Sequence, residues 1–189
     1  GTIVQGGAAS IDVASGKILT YSGSALSPGA HTLTLAGGGT LSNTNSLTLE
    51  NASSVLNITG PNTVSGPIAL TSGTLDIDED SAITGAIVQG GPVSVDVASG
   101  KILTYSGSAL SPGAHTLTLT GGGTLSNTNS LTLENASSVL NITGPNTVSG
   151  PIALTSGTLD IDEDSAITGA IFQGGSASID VASGRTLTY

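Results

Sequence analysis

Aliphatic residues alternate with Thr, Ser, Asn and Asp along most of this chain. Within residues 85–168 the alternation is clearest in four segments, which begin at Val93, Leu117, Leu131 and Leu159. Side chains of an extended strand point to opposite faces at every second residue, so each segment predicts a short strand with one apolar and one polar face. Glycine, Asn-Thr and Ser-Gly steps separate the segments and break any helical period. The pattern predicts an all-β protein.

A second short strand follows each of these segments after a polar or glycine-rich corner. In residues 85–168 the second strands contain Leu103, Leu125, Leu140 and Ile167. Each pair of strands makes one turn of the chain. The pattern therefore predicts four successive turns, each with two strands.

The sequence repeats itself with a period of 84 residues. Residues 1–84 and 85–168 differ at five positions only, and residues 169–189 begin a third, more divergent copy. A strand that buries one narrow aliphatic row is not stable alone. If the turns stack as rungs, each backbone pairs with the rungs above and below, and Val, Leu and Ile form ladders inside. The array stops within a copy, so we expect a fragment of a longer chain.

The predicted fold is a parallel β-solenoid with four rungs per 84-residue repeat. The general rule for parallel crossovers predicts a right-handed β-helix. Rungs spaced by about 4.8 Å would form one continuous rod about 43 Å long. The alternative is an antiparallel β-sandwich of 84-residue beads, but the chain contains neither the Asn-Gly nor the Asp-Gly hairpin signal.

Composition limits which side chains can fill the interior and which partners the chain can bind. Tyr occurs three times, Phe once and Trp never, so the interior must be aliphatic. The net charge is −10, because thirteen acidic residues stand against Lys17, Lys101 and Arg185. Three bases do not make a basic surface, so we expect no nucleic-acid partner. No apolar run approaches the ~18 residues of a membrane helix, so we expect no membrane insertion by this segment.

Acidic residues cluster once in each repeat, and aligned rungs place Asp76 beside Asp96 and Asp160 beside Asp180. Carboxylates stacked about 5 Å apart repel by about 1 kcal/mol in water. A hard cation such as Ca²⁺ would remove that repulsion, and it is the one cofactor that we consider. The alternative is a solvated acidic stripe that keeps the protein soluble. The candidate calcium ligands are Asp76, Asp78, Asp80, Asp96, Asp160, Asp162, Asp164 and Asp180.

The stretch LNITGPNTVSGPIALTSGTLDI occurs from Leu56 to Ile77 and again from Leu140 to Ile161. It resembles the passenger-associated transport repeat of bacterial autotransporters and related giant surface proteins. The resemblance covers about a quarter of each repeat and implies an extracellular β-helical stalk or adhesin without catalytic residues. The matching positions are Gly60, Asn62, Thr63, Gly66, Gly73, Thr74 and Leu75, and again Gly144, Asn146, Thr147, Gly150, Gly157, Thr158 and Leu159.

Near-identical repeats, an aliphatic interior and the lack of a unique polar site predict a non-enzymatic extracellular protein, and the resemblance implies a bacterial cell surface. Its repeats would form a stiff acidic rod. In one version, rods self-associate end to end, or belong to a longer chain of the same repeats, as a surface fibre or filament. In the other, the rod is the stalk of an autotransporter-type adhesin with its binding tip elsewhere. Host or cell-surface glycans are candidate partners.

Two other functions and one modification are compatible with parts of the sequence. A polysaccharide-active enzyme would need basic residues beside its acids or an asymmetric cleft lined with aromatic residues. An ice-binding face would need Thr rows such as Thr32-x-Thr34 on every rung, and charged positions interrupt them. The N-glycosylation acceptor pattern occurs at Asn51, Asn57, Asn135 and Asn141 and leaves open whether they are modified.

Overall fold

The computed structural model describes residues 1–189 and contains strands and turns but no helix. Nine strands form a first sheet, in which every neighbouring pair is parallel. From its first to its ninth strand, the chain makes eight complete turns. In spatial order the strands are β1 (Ala9–Asp12), β3 (Thr32–Ala36), β6 (Val55–Ile58), β9 (Thr74–Ile77), β12 (Val93–Val97), β14 (Thr116–Thr120), β17 (Val139–Ile142), β20 (Thr158–Ile161) and β23 (Ser178–Val181).

A second sheet of nine parallel strands runs along an adjacent face of the coil. Each of its strands follows a strand of the first sheet after a short corner, so both sheets belong to the same rungs. In spatial order the strands are β2 (Ile18–Tyr21), β4 (Thr40–Asn43), β7 (Thr63–Val64), β10 (Ser81–Ile83), β13 (Ile102–Tyr105), β15 (Thr124–Asn127), β18 (Thr147–Val148), β21 (Ser165–Ile167) and β24 (Leu187–Thr188). The parallel β-solenoid and its four rungs per repeat are confirmed.

A third face closes the coil, and the two-strand rung predicted from the sequence is wrong here. Two strands alone would leave one side of the aliphatic core open to water. Single parallel bridges from Leu26 and Leu110 extend this face where a longer loop replaces the strand. Its two three-stranded parallel sheets are β5 (Leu47–Leu49), β8 (Ile68–Leu70) and β11 (Ile87–Gln89), then β16 (Leu131–Leu133), β19 (Ile152–Leu154) and β22 (Ile171–Gln173).

The third face also corrects the alignment of one predicted turn. Leu131 lies on the third face, in β16, rather than in the first sheet. Leu140 lies in the first sheet, in β17, and Val148 of β18 takes its predicted place in the second sheet. The four turns of the repeat differ in length. The alternation within each aliphatic segment therefore does not tell which face of the coil that segment occupies.

Inward side chains of successive rungs stack directly on one another and form a single core of 36 buried residues. All are Val, Leu or Ile except Tyr21 and Tyr105, so the expectation of a wholly aliphatic interior is wrong at these two positions. The register of the first sheet defines one continuous ladder along this core. Because each member packs against the rung above and below, the burial of one rung depends on its neighbours. The ladder contains Ala9, Leu33, Leu56, Leu75, Val95, Leu119, Ile142, Ile161 and Val181.

Buried asparagines and closely packed glycines form the corners between the sheets. The side-chain amide of Asn43 donates to the carbonyls of Asn45 at 2.7 Å and Pro67 at 3.0 Å, and thereby ties one rung to the next. Gly66 lies against Asn43 so closely that a Cβ atom would be 2.1 Å from the Asn43 carbonyl oxygen. Only glycine fits at this position, since any side chain would force the two rungs apart.

Leu119→Ala is expected to destabilise the protein by about 2–5 kcal/mol, because Leu119 is 1% exposed and its loss leaves a cavity between Val95 and Ile142. Thr118→Ala, on the outer face of the same strand, is the matched control and is expected to cost less than about 1 kcal/mol. Urea unfolding followed by circular dichroism measures both. Equal losses of stability in the two variants would contradict the assignment of the inner face.

Candidate functional site

Two pairs of aspartates stack on the outer face of the first sheet. Asp76 of β9 pairs with Asp96 of β12, and the copy pairs Asp160 of β20 with Asp180 of β23. Both neighbour relations predicted from the sequence are confirmed. Each pair lies where the fourth rung of one repeat meets the first rung of the next, so like charges meet at every repeat boundary.

The stacking changes the acidity of one member of each pair. Burial, followed by repulsion from Asp78 and from Asp96, raises the pKa of the Asp76 carboxyl above its ordinary value. Burial, followed by repulsion from Asp162 and from Asp180, raises the pKa of the Asp160 carboxyl in the same way. These carboxyls therefore hold a proton to higher pH in the folded chain than in the unfolded chain.

An amide lies on the other side of each pair. Asn57 pairs with Asp76 from the rung below, and Asn141 pairs with Asp160. The side-chain oxygens of both asparagines are buried and accept no hydrogen bond. A protonated carboxyl donates hydrogen bonds whereas an ionised carboxylate only accepts them, so an unpaired acceptor at this position suits the protonated form.

The rest of the acidic cluster joins adjacent rungs through a corner clamp, defined by the segments 79–80 and 101–102. The Lys101 ammonium is 2.6 Å from a Glu79 carboxylate oxygen, and the Ile102 backbone N–H donates to Asp80 at 2.9 Å. Because one carboxylate binds a side chain and the next binds the backbone, the clamp fixes the position of one repeat on the next.

The second repeat boundary forms the same clamp with Arg185 in place of lysine. The guanidinium lies 2.7 Å and 2.9 Å from the two carboxylate oxygens of Glu163, and the Thr186 N–H donates to Asp164 at 2.7 Å. Sequence reasoning missed this clamp. The available signal was the spacing, since each basic residue follows its glutamate by 22 residues, about one turn of the coil.

The structure divides the eight predicted calcium ligands among three different surroundings. Asp76, Asp96, Asp160 and Asp180 form the two stacked pairs. Asp78 and Asp162 are exposed at the corner, and Asp80 and Asp164 accept backbone hydrogen bonds. No group of three or more Asp, Glu, His or Cys side chains is arranged to hold a metal ion. Because Ca²⁺ takes six to eight oxygen ligands, a stacked pair alone is a poor site, and calcium stays a prediction.

The acceptor-pattern asparagines occupy two kinds of position. Asn51 is exposed in a turn, where its side-chain oxygen accepts a hydrogen bond from the Ser53 N–H at 2.9 Å. Asn57 lies within β6 between two neighbouring strands. Asn135 and Asn141 repeat these two surroundings. A sugar on Asn51 would extend into solvent, whereas one on Asn57 would have to displace packed neighbours.

Comparison with protein-family models finds no match to the chain, and neither curated proteins nor solved structures yield one. The resemblance to the passenger-associated transport repeat therefore stays a prediction. The structure has no helix long and apolar enough to cross a membrane.

Asp76→Asn is expected to stabilise the protein at pH 7 by about 1 kcal/mol or less, because it removes like-charge repulsion at the repeat boundary. The pKa of Asp76 is higher in the folded chain than in the unfolded chain. Ionisation of this carboxyl therefore lowers the stability of the folded protein as the pH rises through the folded pKa. The benefit should therefore vanish at pH 3, below the ordinary value of 3.8, where the carboxyl is protonated in both states. Urea midpoints at the two pH values, measured in EDTA, test this.

Glu134→Gln is the control, since it removes a carboxylate outside the stacked pairs. Destabilisation by Asp76→Asn at pH 7 would contradict the repulsion account. If that destabilisation appeared only after Ca²⁺ was added, it would support the calcium hypothesis instead.

Proposed function

We propose that this chain is a non-enzymatic structural segment of an extracellular, bacterial surface fibre, in which it forms a stiff acidic rod. The observation that carries the proposal is the pair of parallel nine-stranded sheets around one core, which is aliphatic except for Tyr21 and Tyr105. In such a coil, each added rung increases the length by about 4.8 Å and leaves the width unchanged. Reach and stiffness are the properties that this construction supplies.

Growth by further rungs supports the filament version of this proposal. Leu103 is 1% exposed and Val95 is 3% exposed, because each lies between two rungs. A further copy of the same repeat, in a longer chain or from another copy of the protein, would offer its neighbour the same contacts. We propose this end-to-end continuation as the main partner relation.

The adhesin stalk is the second candidate, and the transport-repeat resemblance favours it. In that case the rod holds a binding tip away from the cell, and the tip lies outside this segment. The acidic outer surface, with a net charge of −10, keeps neighbouring rods apart in either version. A location at the bacterial surface is part of both proposals.

The proposal excludes catalysis and ice binding, each for its own physical reason. The two repeats present nearly the same outer groups, so an enzyme would have its catalytic residues twice on one face rather than once in an asymmetric cleft. Thr34 pairs with Ser10 below and Asn57 above, so its row does not continue as threonine. A flat threonine face is what ice recognition would require.

Negative-stain electron microscopy of the native material on its source cells tests the proposal. Continuous fibres with an axial repeat of about 19 Å, or a multiple of it, are expected for the filament. Separate rods that end in a globular tip would instead favour the stalk. Compact particles without a rod-shaped part would contradict both versions.

A further inference from the structure

A single groove opens on the outer face of the second sheet, where the first repeat meets the second. Three successive rungs line it: residues 61–63 with β7, residues 80–82 with β10, and Ile102 and Thr104 of β13. Its volume is about 290 Å³. The groove shares Asp80 and Ile102 with the corner clamp but lies on a different face from the stacked aspartates.

A small side chain between two larger ones produces this groove. Ala82 pairs with Thr63 on the rung below and with Thr104 on the rung above. The methyl group of Ala82 leaves a slot between two threonines whose backbones are about 9.6 Å apart, twice the strand spacing. A slot of this width holds one ring-sized group of a ligand.

The walls combine hydrogen-bonding groups with apolar surface. One Asp80 oxygen accepts the Ile102 N–H at 2.9 Å, and the other carboxylate oxygen has no protein partner. The hydroxyls of Thr63 and Thr104 are also unpaired within the protein, whereas Ser81 already donates to backbone carbonyls. Ile102, 41% exposed, supplies an apolar wall. A ligand with hydroxyls on its edge and C–H groups on its face satisfies both parts.

Charge decides which ligand of that kind is favoured. No basic side chain lines the groove, and the chain carries a net charge of −10. An anionic sugar would be repelled by the Asp80 carboxylate, whereas a neutral sugar would donate a hydroxyl hydrogen bond to it. We propose that the groove binds one neutral pyranose unit of a glycan. This site goes beyond the rod role and does not depend on it.

The second repeat boundary provides a natural comparison. It contains the same residues as the groove, except that Thr186 stands where the first boundary has Ile102. No groove forms there. Two differences separate the boundaries: Thr186 offers no apolar wall, and no further rung stacks on β24 as β15 does on β13. The proposal expects one sugar site in this chain.

Methyl NMR of the full chain with ¹³C-labelled isoleucine tests the site. The probes are cellotriose, maltotriose and triacetylchitotriose, and trigalacturonate is the anionic control. The chemical shift of the Ile102 methyl is expected to change with neutral sugar in a saturable way, with a Kd on the order of 1 mM. Ile18, at the equivalent position of the first rung but without the two lower rungs, should not shift.

Matched variants separate binding from folding. Ala82→Val fills the slot with a residue suited to strands, and it is expected to abolish the Ile102 shift. Ala166→Val makes the same change at the second boundary and should leave the shift unchanged. Thr186→Ile should add a second responding methyl. The proposal is overturned if none of the neutral sugars gives a saturable shift at Ile102, or if Ala82→Val binds like the parent.

Discussion

The stacking of inward aliphatic side chains on the rungs above and below is the interaction on which this whole structure depends. A strand such as β9 buries Leu75 and Ile77 only because other rungs cover them on both sides. A single rung would not be stable alone, because its inward row of side chains would have no second layer to pack against. Leu, Ile and Val replace one another along the ladder, as at Leu75, Val95 and Leu119, because each fills a similar inward position.

Outward side chains do not take part in this stacking, and they make different contacts at different positions. The Asp76–Asp96 pair places like charges at the repeat boundary, while the Glu79–Lys101 contact a corner away supplies an attraction across it. An exposed ion pair contributes about 0–1 kcal/mol, so the clamp sets register more than it adds stability. The groove at Ala82 lies at the same boundary, on the second sheet. Repulsion and attachment thus recur at both repeat boundaries, whereas the groove is present at the first boundary only.

Period-two alternation and the 84-residue repeat were sufficient to predict the parallel solenoid and the contact between Asp76 and Asp96. They did not predict the third face, because aliphatic spacing alone does not tell which corner a segment follows, as Leu131 illustrates. The Lys101 clamp and the Ala82 groove depend on which residues of different rungs become neighbours. That information comes from the lengths of the turns, such as the 22 residues from Glu79 to Lys101, and not from the alternation within a strand.

Small-angle X-ray scattering on this chain and on a version extended by one further 84-residue repeat tests the account most directly. If stacked rungs determine the structure, the maximum dimension increases by about 19 Å and the cross-sectional radius stays the same. An increase in cross-section, or an added repeat that scatters as a separate bead on a flexible connection, would contradict the continuous aliphatic ladder.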